Sequence, residues 1–144
     1  MCLNNWGGID HKVLEFHEYV NLFSGKSGSG KSTVMDAIQV ILYGSFSPSF
    51  LNKAADDAKN RRSVLSYLRG EQKDGSANRR DCDFCSVIAL EIEDTGTHII
   101  TCIGIAFEVR KSDSEIKKFV YFSHSGKMPT SGYLTEQGVC YSNQ

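Results

Sequence analysis

Gly25-Lys26-Ser27-Gly28-Ser29-Gly30-Lys31-Ser32 decides the reading of this chain, and Thr33-Val34-Met35-Asp36-Ala37-Ile38-Gln39-Val40-Ile41-Leu42-Tyr43-Gly44 follows it directly. The run fits G-x-x-x-x-G-K-[ST] without a mismatch. Glycines are required there because the backbone must curl through unusual dihedrals, so that its N–H groups point inward at phosphate oxygens. Gly28 and Gly30 also leave room for a phosphate to approach the main chain. The helix expected from Lys31 onward adds unpaired N–H groups and the positive end of its dipole. In such a loop Lys31 reaches the β- and γ-phosphates as a point charge, and the Ser32 hydroxyl ligates Mg²⁺. Thr33 can touch the α-phosphate. The expected triphosphate-binding set is Gly25, Ser27, Gly28, Ser29, Gly30, Lys31, Ser32 and Thr33.

Context separates a phosphate loop from a decorative glycine-rich turn, and here it favours the phosphate loop. Val34, Ala37, Ile38, Ile41 and Leu42 fall at i, i+3, i+4, i+7 and i+8, one face of a helix, and Gly44 is placed to stop it. Upstream, Tyr19 to Ser24 is a short apolar run ending at Gly25. Before it, Leu3 to Trp6 and Val13 to Phe16 read as two strands joined by a turn at Gly7-Gly8.

Downstream the pattern changes twice. Residues 45–83 form a charged insert holding Lys53, Lys59, Arg61, Arg62, Arg69, Lys73, Arg79 and Arg80 interleaved with acids. A short helix is expected around Ala54 to Leu68 and a loop over Arg69 to Asp81. Residues 86–123 then take a period of two. Ile88, Leu90 and Ile92 alternate, Glu93-Asp94-Thr95-Gly96 reads as a hairpin turn, and Ile99 to Val109 and Phe119 to Phe122 supply further strands. The fold class expected is therefore α/β, a P-loop segment combined with an antiparallel β-meander.

Composition bounds the rest. The chain has 144 residues, 40% hydrophobic and 23% charged, with a formal net charge of −1. That suits one globular domain and excludes a global polyanion-binding field, so any nucleic-acid contact needs a local patch. No apolar run reaches the roughly 18 residues that a membrane span needs, and the N-terminus lacks a signal-peptide layout. The five cysteines, Cys2, Cys82, Cys85, Cys102 and Cys140, read as reduced thiols of a cytoplasmic protein.

Weaker candidates each carry a bland alternative. Val87-Ile88-Ala89-Leu90-Glu91 superficially resembles an apolar strand ending in a catalytic acid, yet Glu91 and Glu93 share one side of a period-two strand, as solvent-facing acids do. Asp36, one turn beyond Ser32, reads as structural rather than as an indirect aid to the metal. Cys82 and Cys85 have C-x-x-C spacing without the second pair that a zinc site needs. Trp6 reads as core rather than as a base-stacking platform, and Gln137 as a surface-loop residue rather than a water-positioning one. The cluster Arg61, Arg62 and Arg69 has three readings: contacts to DNA phosphates, an arginine reaching the γ-phosphate, or a solvated helical face.

Leu3-Asn4-Asn5-Trp6, Phe16 and the run FSGKSGSGKSTVMDAIQVILYG resemble the N-terminal head segment of SMC-like ATPases, the structural maintenance of chromosomes group and its relatives. FLNKAADDAKNRRSVLSYLRG and DFCSVIALEIED look most like the large ATPase subunits of Wadjet anti-plasmid systems, which are condensin-like. The resemblance runs from about Leu3 to Gln137. Many relatives carry Asn where Ser27 stands, which alters an orienting contact.

The resemblance implies an ABC-type ATPase head using ATP and Mg²⁺, with a second head completing the site. It further implies DNA as the substrate engaged and a kleisin-type subunit as partner. No apolar strand ending in Asp-Glu, no Ser-Gly-Gly signature and no coiled-coil heptads occur in the sequence. The expectation is an N-terminal portion, residues 1–144, of a longer head whose C-terminal lobe and coiled coil lie elsewhere. It would bind ATP, and hydrolyse poorly without groups that polarise the attacking water. Two other classes stay open: a small P-loop kinase, which predicts a parallel sheet and an arginine lid, and a non-catalytic module gated by nucleotide.

Overall fold

The computed structural model of the chain describes residues 1–45, 51, 63–71 and 78–134. Strands β1 (Cys2–Trp6) and β2 (Ile9–Val13) pair antiparallel across the Gly7-Gly8 turn, with Trp6 opposite Ile9 and Cys2 opposite Val13. A two-residue turn fixes the register from its own ends outward. The second strand therefore starts at Ile9, rather than spanning Val13 to Phe16 as its apolar residues alone suggest.

Asn5 sits at φ 51°, a left-handed conformation that Asn tolerates better than most side chains. Strict alternation would send residues three apart to opposite faces of a strand. With the backbone turned at Asn5, Leu3 and Trp6 both enter the main core. The Asn5 side-chain amide reaches far along the sequence, donating to the Cys85 carbonyl at 2.7 Å.

Helix α1 (Lys31–Tyr43) ends at Gly44 in the left-handed conformation that the sequence anticipates. Helix α2 (Val64–Arg69) is capped by the Ser63 hydroxyl, which accepts from the Ser66 N–H, and stops at left-handed Gly70. It matches the C-terminal part of the helix expected over Ala54 to Leu68; residues 52–62 lie outside the described residues. Tyr19 to Ser24 forms no strand, and Tyr19 and Leu22 are 87% and 88% exposed. Apolar character makes a strand only where a neighbouring backbone offers its hydrogen bonds.

Strands β3 (Phe84–Glu93), β4 (Ile100–Val109) and β5 (Lys118–Ser125) complete a sheet of order β2-β1-β3-β4-β5, antiparallel at every pairing. The connection after Glu93 is wider than the expected tight turn. Asp94 accepts from the N–H groups of Gly96 and Thr97, and His98 takes a left-handed φ of 57°.

The two helices lie on one face, over a core that includes Leu3, Trp6, Ala37, Leu68, Ile105 and Phe107. The other face buries Cys2, Val87 and Ala89 under Met128 and Tyr133. Among the described residues no helix is long and apolar enough to cross a membrane.

Gly104 shows how closely β4 is held. A Cβ there would stand 2.4 Å from Phe122 Cζ and 2.6 Å from the Ile88 carbonyl oxygen. Gly104→Ala is expected to cost about 3 kcal/mol of stability, read as a lower urea midpoint at unchanged slope. An unchanged midpoint would mean that both β3 and β5 yield without loss.

Candidate nucleotide-binding site

The loop before α1 has the backbone shape that its glycines permit. Gly25, Gly28 and Gly30 take φ values of 153°, 81° and 90°, which L side chains rarely adopt. A Cβ on Gly28 or Gly30 would meet nothing within 4 Å, so open space lies beside the backbone where a phosphate has to approach. Gly25 differs: a Cβ there would run 2.7 Å from Ser29 Oγ.

Lys31 closes the loop. Its ammonium donates to the Gly25 carbonyl at 2.7 Å, to the Lys26 carbonyl at 3.0 Å and to Ser29 Oγ at 3.3 Å. An ammonium has three donors and no acceptor, so one side chain straps both arms of the loop together and leaves its positive charge at the mouth. Ser29 N–H adds a turn bond to the Lys26 carbonyl at 3.2 Å.

Helix α1 begins without a side-chain cap and without an acidic residue in its first turn. Its first backbone bond runs from the Val34 N–H to the Gly30 carbonyl. The N–H groups of Lys31, Ser32 and Thr33 precede that bond and have no helical partner. Uncapped donors, an unopposed dipole end and a lysine together form an anion site. Ser32 is exposed on this first turn, which suits a hydroxyl that would ligate Mg²⁺ beside bound phosphates. Ser27 is exposed on the loop itself. The residues present thus fit a magnesium–nucleotide.

The wall behind the loop is not evident from the sequence. Trp6 is fully buried, and its indole N–H donates to the Thr33 carbonyl at 2.8 Å. Tyr67 and Phe107 flank the indole at ring-centroid distances of 4.8 and 6.5 Å. Trp6 is core, as expected, yet its polar edge reaches the phosphate-binding turn. The one available signal is that a buried indole N–H needs an acceptor.

Other candidates fall elsewhere. Asp36 is buried in α1, in keeping with a structural use. Glu91 points to the face away from the helices and accepts from the Met128 N–H, while Glu93 pairs with His98 at 3.0 Å. Neither is placed as a catalytic acid. Cys2 and Cys102 are buried thiols, Cys85 is half-buried, and Cys82 is exposed. Burial pushes the Cys2 and Cys102 thiols above their ordinary pKa. Among the described residues no three His, Cys, Asp or Glu side chains gather closely enough to hold a metal.

Arg61, Arg62, Gln137 and Cys140 lie outside the described residues. Arg69 has a structural employment that the sequence does not suggest: its Nη2 donates to the carbonyls of Arg110, Lys111 and Asp113 at 3.0, 2.9 and 2.9 Å.

Residues 1–58 match the family model described as the P-loop containing region of AAA domain. The chain is also 33% identical over 72 residues to the C component of the nuclease SbcCD from Staphylococcus haemolyticus (strain JCSC1435). That match covers 47% of this chain and 6% of the relative's length. The matched family region contains the whole phosphate loop and all of α1, so the N-terminal part of the chain is similar to such P-loop regions.

Proposed function

We propose that this chain binds ATP with Mg²⁺ through residues 25–33 and forms part of an SMC-like ATPase head that engages DNA. The observation that carries the reading is the loop strapped shut by Lys31 against the uncapped start of α1. In the proposed complex the Lys31 ammonium lies against the β- and γ-phosphates, and the N–H groups of the first turn hold oxygens. Ser32 Oγ ligates Mg²⁺, which would neutralise phosphate charge and orient the group. Thr33 lies beside the α-phosphate.

The choice of ATP over GTP rests on the likeness to SMC-like ATPases. So does pairing with a second head, which would supply groups that act on the attacking water, and so does a kleisin-type partner. We place the activity in the cytoplasm, in plasmid defence of the Wadjet kind or in chromosome maintenance. The all-antiparallel sheet disfavours a small P-loop kinase, whose fold is built on parallel strands.

The test is equilibrium binding of a labelled, non-hydrolysable ATP analogue, with and without Mg²⁺ and in competition with GTP and ADP. Saturable binding strengthened by Mg²⁺ and displaced preferentially by adenine nucleotides is expected. A folded chain that binds none of these ligands would refute the reading.

A further inference from the structure

Two independent contacts join the turn between β1 and β2 to the first turn of α1. The first is the bond from the Trp6 indole to the Thr33 carbonyl, 2.8 Å long and made by a side chain with no exposed surface. The second is steric. A Cβ built on Gly7 would stand 3.0 Å from Thr33 Cγ2 and 3.2 Å from the Tyr67 ring, so the turn backbone lies directly against Thr33. Thr33 is the third residue of α1, immediately after Lys31 and Ser32.

A helical carbonyl already accepts from the residue four ahead, and its second lone pair is free for the indole. The indole bond therefore adds a fixed point outside the helix at the place where the loop becomes helix. A phosphate loop works by preorganisation: donors that must be ordered on binding subtract that ordering from the affinity. Tyr67 and Phe107 hold the indole plane, so the N–H has little freedom to leave the carbonyl.

We propose that Trp6 is a positioning residue for the nucleotide site, acting through the Thr33 carbonyl to hold Lys31 and Ser32 ready for phosphate and Mg²⁺. This deepens the phosphate-site reading and rests on it. Trp6 touches no ligand, and its contribution is the orientation of the turn that does.

The experiment compares the 144-residue chain with Trp6→Phe and with a chain carrying 3-benzothienylalanine at position 6, which keeps the bicyclic shape and lacks the N–H donor. Dissociation constants for the ATP analogue are measured with and without Mg²⁺, at a temperature where thermal melts show every variant folded. Ile105→Val serves as the control, because it thins the same buried core and leaves the indole, its two ring neighbours and its donor in place.

The expected result is an affinity about five- to tenfold weaker for both donor-less chains, the size of one lost hydrogen bond, with a larger loss when Mg²⁺ is present. Ile105→Val should melt earlier and bind within about twofold of wild type. Wild-type affinity in the benzothienylalanine chain overturns the proposal, as does an equal loss in Ile105→Val. A folded wild-type chain that binds no nucleotide overturns the phosphate-site reading and this proposal together. Should Trp6→Phe fail to fold, the isosteric chain decides.

Discussion

Lys31→Ala is expected to weaken binding of the magnesium–ATP analogue by about 100-fold or more while leaving the fold standing. The large effect on binding follows from what the ammonium does in the free loop. It ties the Gly25 and Lys26 carbonyls on one arm to Ser29 and the start of α1 on the other, and these arms must stay apposed for the loop to present its N–H groups inward. With nucleotide present the same charge also faces the phosphates, and bonds between ions are about twice as strong as neutral ones. Alanine removes the strap and the charge at once.

The small effect on folding follows from exposure, because all three bonds of the ammonium lie at the surface, where water replaces them at little cost. Surface changes of this kind fall within about 0.5 kcal/mol, or roughly 2 °C in melting temperature. Isothermal titration and thermal melts on one preparation check both halves. An affinity retained within about fivefold would show that the helix terminus alone binds the phosphates.

Features legible in the sequence are those whose physics is local. Helix α1 announces itself through the spacing of Val34, Ala37 and Ile41 and through Gly44, and the structure places it at Lys31–Tyr43. The Gly7-Gly8 turn and the alternation over β3 and β4 are legible for the same reason: a turn or a half-buried strand is specified by neighbours in the chain. The span of β2 is not, because Val13 and Phe16 look more like strand residues than Asp10 or Lys12 do. Register from the turn outweighs that preference. Tyr19 to Ser24 looks like part of the strand-rich lead-in and is not, because apolar character says nothing about whether a partner is at hand. At the site, the motif supplies the residues and their roles in outline. It does not supply the link from Trp6 to Thr33, which spans 27 positions and depends on the left-handed backbone at Asn5. Arg69 and Arg80 are hidden for a related reason. In sequence they are two more charges of a polar insert, and only the folded chain reveals which carbonyls surround them.

Arg80 makes the second large prediction. Its side chain is 7% exposed, a rare state for arginine, and its guanidinium is enclosed by acceptors from three parts of the chain. Nη1 donates to the Gly7 carbonyl at 2.7 Å and to the Leu68 carbonyl at 2.8 Å. Nη2 donates to the Ile9 carbonyl at 2.8 Å and to Asp10 Oδ1 at 2.9 Å, and Nε to Asn5 Oδ1 at 3.2 Å. One planar group thus ties the β1–β2 turn to the end of α2. Asp10 also bonds Arg79, and that bond first, with the charge of Arg80 adding to it, holds the Asp10 carboxyl below its ordinary pKa.

Arg80→Leu keeps much of the apolar bulk and removes every donor, leaving buried carbonyls at Gly7 and Leu68 without this partner. The expected cost is about 3–5 kcal/mol, a large share of the 5–15 kcal/mol typical of a domain. Arg80→Lys should recover only part of it, because an ammonium cannot reproduce the fork that spans Gly7 and Ile9. Urea titrations of the three chains check the order wild type, Lys, Leu. A Leu variant within about 1 kcal/mol of wild type would mean that the carbonyls turn to water and that the enclosure is dispensable. Because the Gly7 carbonyl belongs to the turn that backs Thr33, the same loss should reach the phosphate loop. The Lys variant, measured where it is folded, is expected to bind the ATP analogue less tightly than wild type, although residue 80 touches no part of the loop.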